Sequence, residues 1–438
     1  MVKQMSGKVN SFFSKSKIHR YFPVGHALCL VVTKKLSTFA QTNSNNSSKM
    51  ISSMKHNLFS FFFVLISLFL TIDVHANDGV FYVDGNELIP LTDTDIRLRK
   101  EVLNIRFEEG RALVEVNYWL ENSGSKKSLL VGFEAAPPHG AWGNIGLARR
   151  VFPEHPHIRR FSVEAGGERL PFKVAHVGRV DTVYYAQGRF NEVEAKNELN
   201  DYNEDYEPAL SFYYVYYFDV CFAEGVTTIR HTYEYDMSDN VSEGLNLPYV
   251  LSAAGRWAGG EIEDFTLNIY PEPLTSLFVD ETFFSGSEQW TYTGAVRMTQ
   301  SAPRRPYYNS YDDESEVRSL VFHVQDGSLS FHQEHFRPQK DKELYIYSGL
   351  TPWDSDVLTT VQSFYGACRF KFYMQSDSLT PFERRVLRNL PFAYRGYVFK
   401  DKELQRVYEQ SPWYIPNPEY KAILRWLPKD EQKWVLSF

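Results

Sequence analysis

The sequence predicts a mainly β protein with a small α domain: an amino-terminal antiparallel β-sandwich over residues 77–350, followed by a C-terminal helical mini-domain over residues 376–438. Three observations lead to this fold class. Tyrosine (28) and phenylalanine (33) are abundant, which favours strands. Short apolar runs separated by turn residues recur through the first region, as in a sandwich. Near the C-terminus the apolar residues instead fall at helical spacing.

Residues 54–76 have the pattern of a secretory signal peptide. Lys55 provides a basic start, residues 58–70 are apolar, and small residues precede a cleavage point between Ala76 and Asn77. The apolar run is shorter than the roughly 20 residues of a membrane-spanning helix. We therefore expect cleavage, an extracytoplasmic location (periplasmic or secreted) and no integral membrane span afterwards, with a retained anchor as the alternative.

Residues 1–53 lie upstream of this signal and are rich in Lys, Ser and Asn. We interpret them as a mis-called or disordered extension, and a cytoplasmic tail is the alternative. Once residues 1–76 are removed, only Cys221 and Cys368 remain. In an oxidising compartment the two could form one disulfide, or both could simply be buried.

Charge divides the exported chain into an acidic body and a basic tail. Residues 77–378 carry 27 Lys+Arg against 46 Asp+Glu, whereas residues 379–438 carry 11 against 7. This asymmetry is compatible with a tail that docks on the body or faces an anionic envelope polymer. Two ordinary solvated surfaces are the alternative.

The strongest strand signals lie in the first region. Residues 95–107 and 112–121 flank a predicted hairpin turn at Glu108-Glu109-Gly110. Residues 210–222 are apolar on both faces, which predicts a central strand covered from two sides. A glycine turn leads from there to residues 226–235, and we predict that these two strands pair as a hairpin. Further strands are predicted at 129–133, 263–270, 289–298, 317–324 and 343–348.

Two stretches interrupt the sandwich and one follows it. Residues 190–207 are rich in Asp and Glu and predict a solvated acidic insert. Residues 303–316 form a second polar insert, and residues 351–375 a connector to the mini-domain.

The start of the sandwich resembles a bacterial extracytoplasmic family, the domain-of-unknown-function family 4424. The resemblance covers residues 76–135 and is carried by residues 76–79, 96–102, 114–118 and Asn122. It implies a sheet-rich domain behind a signal peptide and no known reaction.

The mini-domain begins with a helix-start pattern. Thr380 and Glu383 form a capping box around Pro381, so a helix is predicted to begin at Pro381. Pro391 is expected to kink or end that helix, and Gly396 to adopt the left-handed conformation that closes it.

A second helix and a third segment are predicted to complete the mini-domain. Asp401 can cap the second helix, and Ser411-Pro412 stops it. A segment around Ile423, Leu424 and Trp426 is predicted to close the mini-domain.

These residues resemble the YARHG domain, a small extracytoplasmic bacterial module. The matching positions are Arg388-Asn389, Gly396-Tyr397, Phe399 and Trp413-Tyr414. The motif itself departs from the family name, because residues 392–396 read Phe-Ala-Tyr-Arg-Gly, so a role of the family histidine does not carry over. The resemblance implies a location outside the cytoplasm and no catalytic role.

The sequence contains partial matches to metal sites and catalytic motifs, and each lacks a required residue. Asp201, Asn203 and Asp205 have calcium-loop spacing, but the sixth position is Tyr206 and the twelfth Phe212. The pairs His332/His335, expected on a helical face, and His155/His157, expected on a strand, lack a third ligand at zinc-site spacing. Ser123 and Lys126 fit a Ser-x-x-Lys pattern without its accompanying motifs. We predict no metal and no cofactor.

Aromatic residues beside Arg395 suggest a ligand platform. Sugar rings could stack on the aromatic side chains while the guanidinium pairs with a carboxylate or phosphate. Core packing explains most of these aromatic residues equally well, because a small domain needs its aromatic side chains inside. Arg395 is the member expected to be exposed. The candidate ligand-binding residues are Tyr394, Arg395, Tyr397, Trp413 and Tyr414.

Taken together, these patterns predict an exported, non-enzymatic cell-envelope protein with a binding or scaffolding role. Its partners would be a protein or an anionic envelope polymer such as peptidoglycan, and not nucleic acid. An envelope hydrolase or hydrolase accessory protein with an unrecognised catalytic site is the alternative.

Overall fold

Twenty strands and three α-helices are present in the part of the chain that the structure describes. The strands are β1 (Val80–Phe81), β2 (Leu88–Pro90), β3 (Arg97–Glu108), β4 (Arg111–Asn122), β5 (Lys127–Ala135), β6 (His139–Gly140), β7 (Ile158–Ala165), β8 (Glu168–Arg169), β9 (Lys173–Val177), β10 (Tyr185–Ala186), β11 (Arg189–Phe190), β12 (Tyr213–Phe222), β13 (Gly225–Asp236), β14 (Ser238–Asn240), β15 (Gly244–Tyr249), β16 (Ile262–Tyr270), β17 (Thr275–Asp280), β18 (Trp290–Gln300), β19 (Ser319–Phe336) and β20 (Leu344–Tyr347). The helices are α1 (Pro381–Tyr394), α2 (Lys402–Glu409) and α3 (Lys429–Ser437), and short 3₁₀ helices cover Ser252–Arg256, Ser287–Gln289 and Leu424–Trp426.

The computed structural model describes residues 80–81, 88–92, 94–136, 139–140, 152–178, 184–193, 212–240, 244–304, 315–339, 342–348 and 380–438. All of them belong to one compact unit, residues 77–438. The predicted extension, signal peptide and connector lie outside the described residues, as do Cys368, the calcium-like triplet and most of the acidic insert.

Two sheets make up the body. The larger has fourteen strands in the order β6-β1-β14-β15-β20-β17-β19-β16-β3-β4-β13-β7-β8, with β18 paired to β19. The smaller has four strands in the order β2-β5-β12-β9, and β10 and β11 form a separate hairpin. The fold class is therefore mainly β with a helical C-terminal part, as predicted. One pairing departs from the antiparallel prediction, because β3 and β16 run in parallel.

The two sheets pack face to face around an aromatic core. The ring of Phe133 on β5 lies 5.2 Å from that of Phe161 on β7 and 5.1 Å from that of Tyr233 on β13 (centroid distances). Every second side chain of β4 points into this core, and so does every second side chain of β3 beyond the irregularity between Leu98 and Lys100. The hydrophobic period of two in the sequence thus marks the inner face of the larger sheet.

Strand β12 is buried on both faces, as its continuous apolar run predicts. It lies between β5 and β9 in the smaller sheet. Phe218 points into the core between the sheets, whereas Val215 packs with Ile89 and Tyr184 on the opposite face.

The predicted hairpin of β12 and β13 is wrong. β12 pairs with β5 and β9 in the smaller sheet, whereas β13 pairs with β4 and β7 in the larger one. The turn before Gly225 therefore carries the chain from one sheet to the other. The side-chain amide of buried Asn122 donates to the carbonyl of Phe222 (3.2 Å) at this crossing and to that of Ser125 (2.9 Å) at the neighbouring crossing from β4 to β5. A glycine turn between two apolar strands suits a hairpin and a crossing equally, and packing of the sheets selects the crossing.

Strand β19 is much longer than the predicted 317–324 strand, and it contacts the C-terminal helical domain. It runs for 18 residues and pairs with β16, β17 and β18. At its centre, the Gln325 side-chain amide donates to the carbonyls of Tyr394 (3.0 Å) and Ile415 (3.2 Å). Arg297 on β18 donates to the carbonyl of Pro412 (3.3 Å). The tail thus docks on the β18–β19 pair through its backbone carbonyls.

Candidate functional site: the C-terminal domain

The first helix of the tail begins where its sequence predicts. The Glu383 amide donates to the Thr380 hydroxyl (3.2 Å), and the Thr380 amide donates to the Glu383 carboxylate (2.7 Å). Both bonds of a capping box are therefore present, with Pro381 at the first helical position. Two amide hydrogens that the helix leaves without internal acceptors are satisfied by this arrangement.

Pro391 does not end the helix, which continues to Tyr394. Proline has no amide hydrogen to donate to the carbonyl four residues earlier, that of Leu387. The indole of Trp434 on α3 donates to that carbonyl instead, over 2.7 Å. A side chain from a distant helix thus supplies the hydrogen bond that Pro391 cannot donate. Of the two outcomes expected at Pro391, a kink or an end, the helix end does not occur.

Gly396 closes the helix as predicted, with a left-handed φ of +76°. Its amide donates to Ala393 (2.8 Å) and the Tyr397 amide donates to Phe392 (3.0 Å), the bond pair of a Schellman motif. A Cβ atom at Gly396 would lie 2.3 Å from the carbonyl oxygen of Ile415. Glycine is therefore required both for the backbone conformation and for the approach of the following loop.

Helix α2 also follows the sequence prediction. The Asp401 carboxylate accepts hydrogen bonds from the amides of Glu403 (3.0 Å) and Leu404 (3.3 Å). Leu404 and Tyr408 are buried on its inner face, and the helix ends before Ser411. Helix α3 has no counterpart in the predicted elements.

The aromatic candidates lie together, but mainly inside the domain. Tyr394 and Trp413 stack with ring centroids 4.2 Å apart and an interplanar angle of 18°. Both are buried, as is Tyr414, whose hydroxyl donates to the carbonyl of half-buried Tyr397 (2.9 Å). These contacts are those of a core, in agreement with the core-packing alternative.

Arg395 is not the exposed member of this group. Its guanidinium forms a two-pronged ion pair with Glu431 on α3, at 2.6 and 3.1 Å, and donates to the carbonyl of Pro391 (2.8 Å). The side chains are only 18% and 7% exposed. A bidentate pair of this kind is strongly oriented, so Arg395 fastens α1 to α3.

The exposed aromatic residue of the domain is Trp426, at 56%. It lies in what we call the 421–429 segment, together with exposed Lys421, Arg425 and Lys429. The ion pairs of the domain that the structure describes join other side chains: Arg385 with Asp401, Arg395 with Glu431 and Lys433 with Asp430. The segment therefore presents three cations and one indole to solvent.

The backbone of the 421–429 segment is held in place from beneath. Leu427 is buried in the domain core, and Leu424 packs against that core. The Gln432 side chain donates to the carbonyl of Leu427 (2.8 Å). The sequence predicts that Trp426 helps to close the mini-domain together with Ile423 and Leu424, whereas its side chain is exposed. The Lys-x₃-Arg-Trp-x₂-Lys pattern is the signal that could have indicated an exposed surface instead.

The histidines of the body have structural partners. His155 is buried and bonds to the carbonyl of Ala136 (2.9 Å), and His157 pairs with Asp236 (3.1 Å). Both precede β7 in a turn, and not on a strand as expected. His332 and His335 lie on β19, so the expected helical face is wrong. Among the described residues, no group of three or more His, Cys, Asp or Glu could hold a metal ion.

The buried carboxylate of Asp280 is also engaged. Ser319 donates to it over 2.6 Å and Arg304 over 3.2 Å, while Arg304 also donates to the hydroxyl of Tyr347 (2.7 Å). Arg304 and Val317 exchange backbone hydrogen bonds at the two ends of the second polar insert. This network thus fixes the base of the insert.

Three further candidate residues, Ser123, Lys126 and Cys221, lie in the body. Ser123 and Lys126 lie in the crossing between β4 and β5. Cys221 is exposed on β12, so the expectation that both cysteines are buried is wrong for Cys221. The other alternative, a disulfide to Cys368, stays an expectation. No helix in the described ranges is both long and apolar enough to cross a membrane.

Comparison with known proteins agrees with the tail resemblance. The sequence model of the YARHG domain matches residues 368–437. The fold and this match together define a mainly β protein that carries a YARHG domain at its C-terminal end. The resemblance of residues 76–135 to the other family stays an expectation.

One solved structure that resembles this chain is a protein from Legionella pneumophila subsp. pneumophila str. Philadelphia 1, described as a proposed nutrient binding protein. The two are 17% identical with a TM-score of 0.45, over 82% of this chain and 98% of that one. No curated protein matches the chain.

Proposed function

We propose that the protein is exported and acts by non-catalytic binding or scaffolding at the cell envelope. Its YARHG domain would contact an anionic envelope polymer such as peptidoglycan through the 421–429 segment. The observation that carries this proposal is the exposed indole of Trp426 beside three exposed cations, on a backbone anchored to the core. An extracytoplasmic location follows from the predicted signal peptide and from the tail family.

The chemistry of the segment suits a polymer with sugar rings and acidic groups. An exposed indole offers a flat apolar face on which a sugar ring can pack. Arg425 and the two lysines can pair with carboxylate or phosphate groups. The net charge of +4 over residues 379–438 attracts an anionic polymer at longer range.

The mode of docking leaves this surface accessible. The tail meets the body through the carbonyls of Tyr394, Pro412 and Ile415 and through Leu274 of the body, which packs against the tail core. Lys421, Arg425 and Lys429 stay exposed in the docked arrangement. Docking therefore does not cover the basic surface, which supports a role beyond holding the tail to the body.

The test is sedimentation of the full chain with purified peptidoglycan and with other envelope polymers. We expect binding that weakens with added salt, because at about 0.1 M salt the attraction between exposed charges more than about 10 Å apart is largely screened. Trp426→Ala is expected to weaken binding by roughly two- to tenfold, the range for one aromatic contact of about 0.5–1.5 kcal/mol, and Arg425→Ala to reduce the salt dependence.

Arg406→Ala is the matched control, since it removes an exposed cation from α2 of the same domain. Unchanged binding after Trp426→Ala, or equal losses in the Arg406→Ala control, would refute the assigned surface. The hydrolase alternative predicts release of soluble fragments from the polymer, which the same incubation would reveal.

A further inference from the structure

A groove crosses the solvent face of the larger sheet, far along the chain from the YARHG domain. Its floor is a row of directly paired residues: Tyr270 on β16 opposes Arg106 on β3, Arg106 opposes Leu113 on β4, and Leu113 opposes Glu234 on β13. Two overlapping pockets of about 480 and 450 Å³ lie over this row. Pockets of this size are in the range that binds small molecules.

A β-bulge closes the groove at β7. Between the pairs Thr232–Ser162 and Glu234–Arg159, β13 has one residue and β7 has two. The extra residue is Arg160, whose φ of +53° is unusual for a residue other than glycine. The bulge lets Ile158 and Phe161 both face the core while Arg159 and Arg160 both face solvent. It therefore directs a second consecutive arginine to the groove side of the sheet.

The carboxylate of Glu234 organises this end of the groove. It accepts hydrogen bonds from Arg160 (2.5 Å) and Arg111 (3.1 Å) and is only 10% exposed. The Arg160 side chain is 79% exposed. Because a guanidinium has five N–H donors, Arg160 keeps donors directed at solvent while Glu234 holds its position.

The opposite end of the groove is acidic. Glu108 and Glu109 are exposed at the turn between β3 and β4. Arg106 stacks over the ring of Tyr270 at 4.6 Å and lies 4.0 Å from Glu108. Five glutamates and three arginines line the two pockets. This balance of charges disfavours a ligand with several negative charges and favours a ligand that carries both a positive and a negative charge.

We propose that this groove binds a short extended peptide with free ends, its C-terminal carboxylate paired with Arg160 and its N-terminal ammonium group paired with Glu108 and Glu109. The Arg160 bulge and β3 are three inter-strand steps of about 4.8 Å apart, and Glu108 lies two residues further along β3 than Arg106, so the backbone separation is about 16 Å. An extended chain covers about 3.3–3.6 Å per residue. The separation thus suits a peptide of about four or five residues. This site is separate from the proposed polymer contact of the tail.

The test is isothermal titration calorimetry of the full chain with tetra-alanine, its C-terminal amide, its N-acetyl form and di-alanine. We expect tetra-alanine to bind, and loss of either terminal charge to weaken binding at least tenfold. Di-alanine is too short to reach both ends and should bind at least tenfold more weakly. Succinate and inorganic phosphate should bind more weakly than tetra-alanine.

Variants assign the contact to Arg160. Arg160→Ala should weaken tetra-alanine binding at least tenfold, and Arg160→Lys should cause a smaller loss because it keeps the charge but not the fork of donors. The C-terminal amide should be insensitive to Arg160→Ala, since both changes remove the same pair. Arg169→Ala, an exposed arginine on neighbouring β8, is the matched control and should have no effect.

Three outcomes would overturn the proposal: no heat with tetra-alanine, tighter binding of succinate or phosphate, or equal losses on Arg160→Ala for the free acid and the amide. The proposals for the two sites can be refuted independently of each other. Arg160→Ala should leave polymer sedimentation unchanged, and Trp426→Ala should leave tetra-alanine binding unchanged.

Discussion

Replacing Trp434 by phenylalanine should destabilise helix α1 by an amount that depends on Pro391. The indole nitrogen of Trp434 donates to the buried carbonyl of Leu387 over 2.7 Å, and Pro391 has no amide hydrogen for that carbonyl. Trp434→Phe removes the donor and leaves a buried acceptor without it. Leaving a buried acceptor unsatisfied lowers stability by about 1–3 kcal/mol. The phenylalanine ring is also smaller than the indole, so some packing contacts are lost as well.

Pro391→Ala separates the hydrogen bond from the packing. Alanine at this position brings an amide hydrogen that can reach the Leu387 carbonyl within the helix. In that background Trp434→Phe should cost only the packing loss. We therefore expect a coupling of about 1–2 kcal/mol between the two substitutions, whereas distant independent sites add within about 0.5 kcal/mol.

Hydrogen exchange followed by mass spectrometry measures this locally. A coupling of 1–2 kcal/mol corresponds to about a five- to thirtyfold difference in the exchange rate of α1 amides between the two backgrounds. Trp426→Phe, which alters the exposed tryptophan, should leave these rates unchanged. Equal acceleration by Trp434→Phe with and without Pro391 would refute the compensation.

Two further predictions concern acid stability and the helix end. Burial lowers the pKa of His231 to about 3, and burial together with the positive charge of Arg297 lowers that of His323 to about 4. Because the unfolded pKa is near 6.5, the unfolded state binds protons first, so stability is retained above pH 6.5 and falls as pH drops toward these values. Each histidine should lower the free energy of unfolding by about 2 kcal/mol between pH 7 and pH 5. His231→Phe should therefore make the urea midpoint fall less over this pH range than it does in the wild type. A pH dependence identical to that of the wild type would contradict this. Gly396→Ala should destabilise the tail by more than about 2 kcal/mol, because the left-handed conformation costs about 1–2 kcal/mol and the new Cβ would meet the Ile415 carbonyl at 2.3 Å. Gly188 is the matched control, because it has a similar φ of +75° and a Cβ there would have no atom within 4 Å. Gly188→Ala should therefore lose only the stability that the left-handed conformation costs, as measured by thermal unfolding. Equal losses of stability at the two glycines would exclude a role for the Ile415 contact.

Local patterns predicted the elements more reliably than their partners. The capping box at Thr380, the left-handed Gly396 and the cap at Asp401 depend on neighbouring residues, and all three are present in the structure. The alternation along β3 and β4 likewise identified the buried face. Pairing of β12 and β13 failed because a glycine turn does not specify whether the chain stays in one sheet.

The ligand-binding role of the five candidate residues stays a prediction. The four aromatic residues among them, Tyr394, Tyr397, Trp413 and Tyr414, lie together in the core of the tail. Their burial could not be read from residue type, since aromatic side chains serve in cores and on binding surfaces alike. Arg395 looked exposed because its partner Glu431 lies 36 positions away on a helix that was not predicted.

By itself, the sequence determined the mainly β class, the helical YARHG tail and the residues that begin and end its first two helices. These depend on periodicity and on contacts within a few residues, which the sequence displays directly. Tertiary structure decided which strands share a sheet, how Trp434 lets a helix pass through Pro391, and which charged groups stay exposed. Those outcomes depend on packing between residues far apart in the chain, so that one local pattern is compatible with several arrangements until the core is formed.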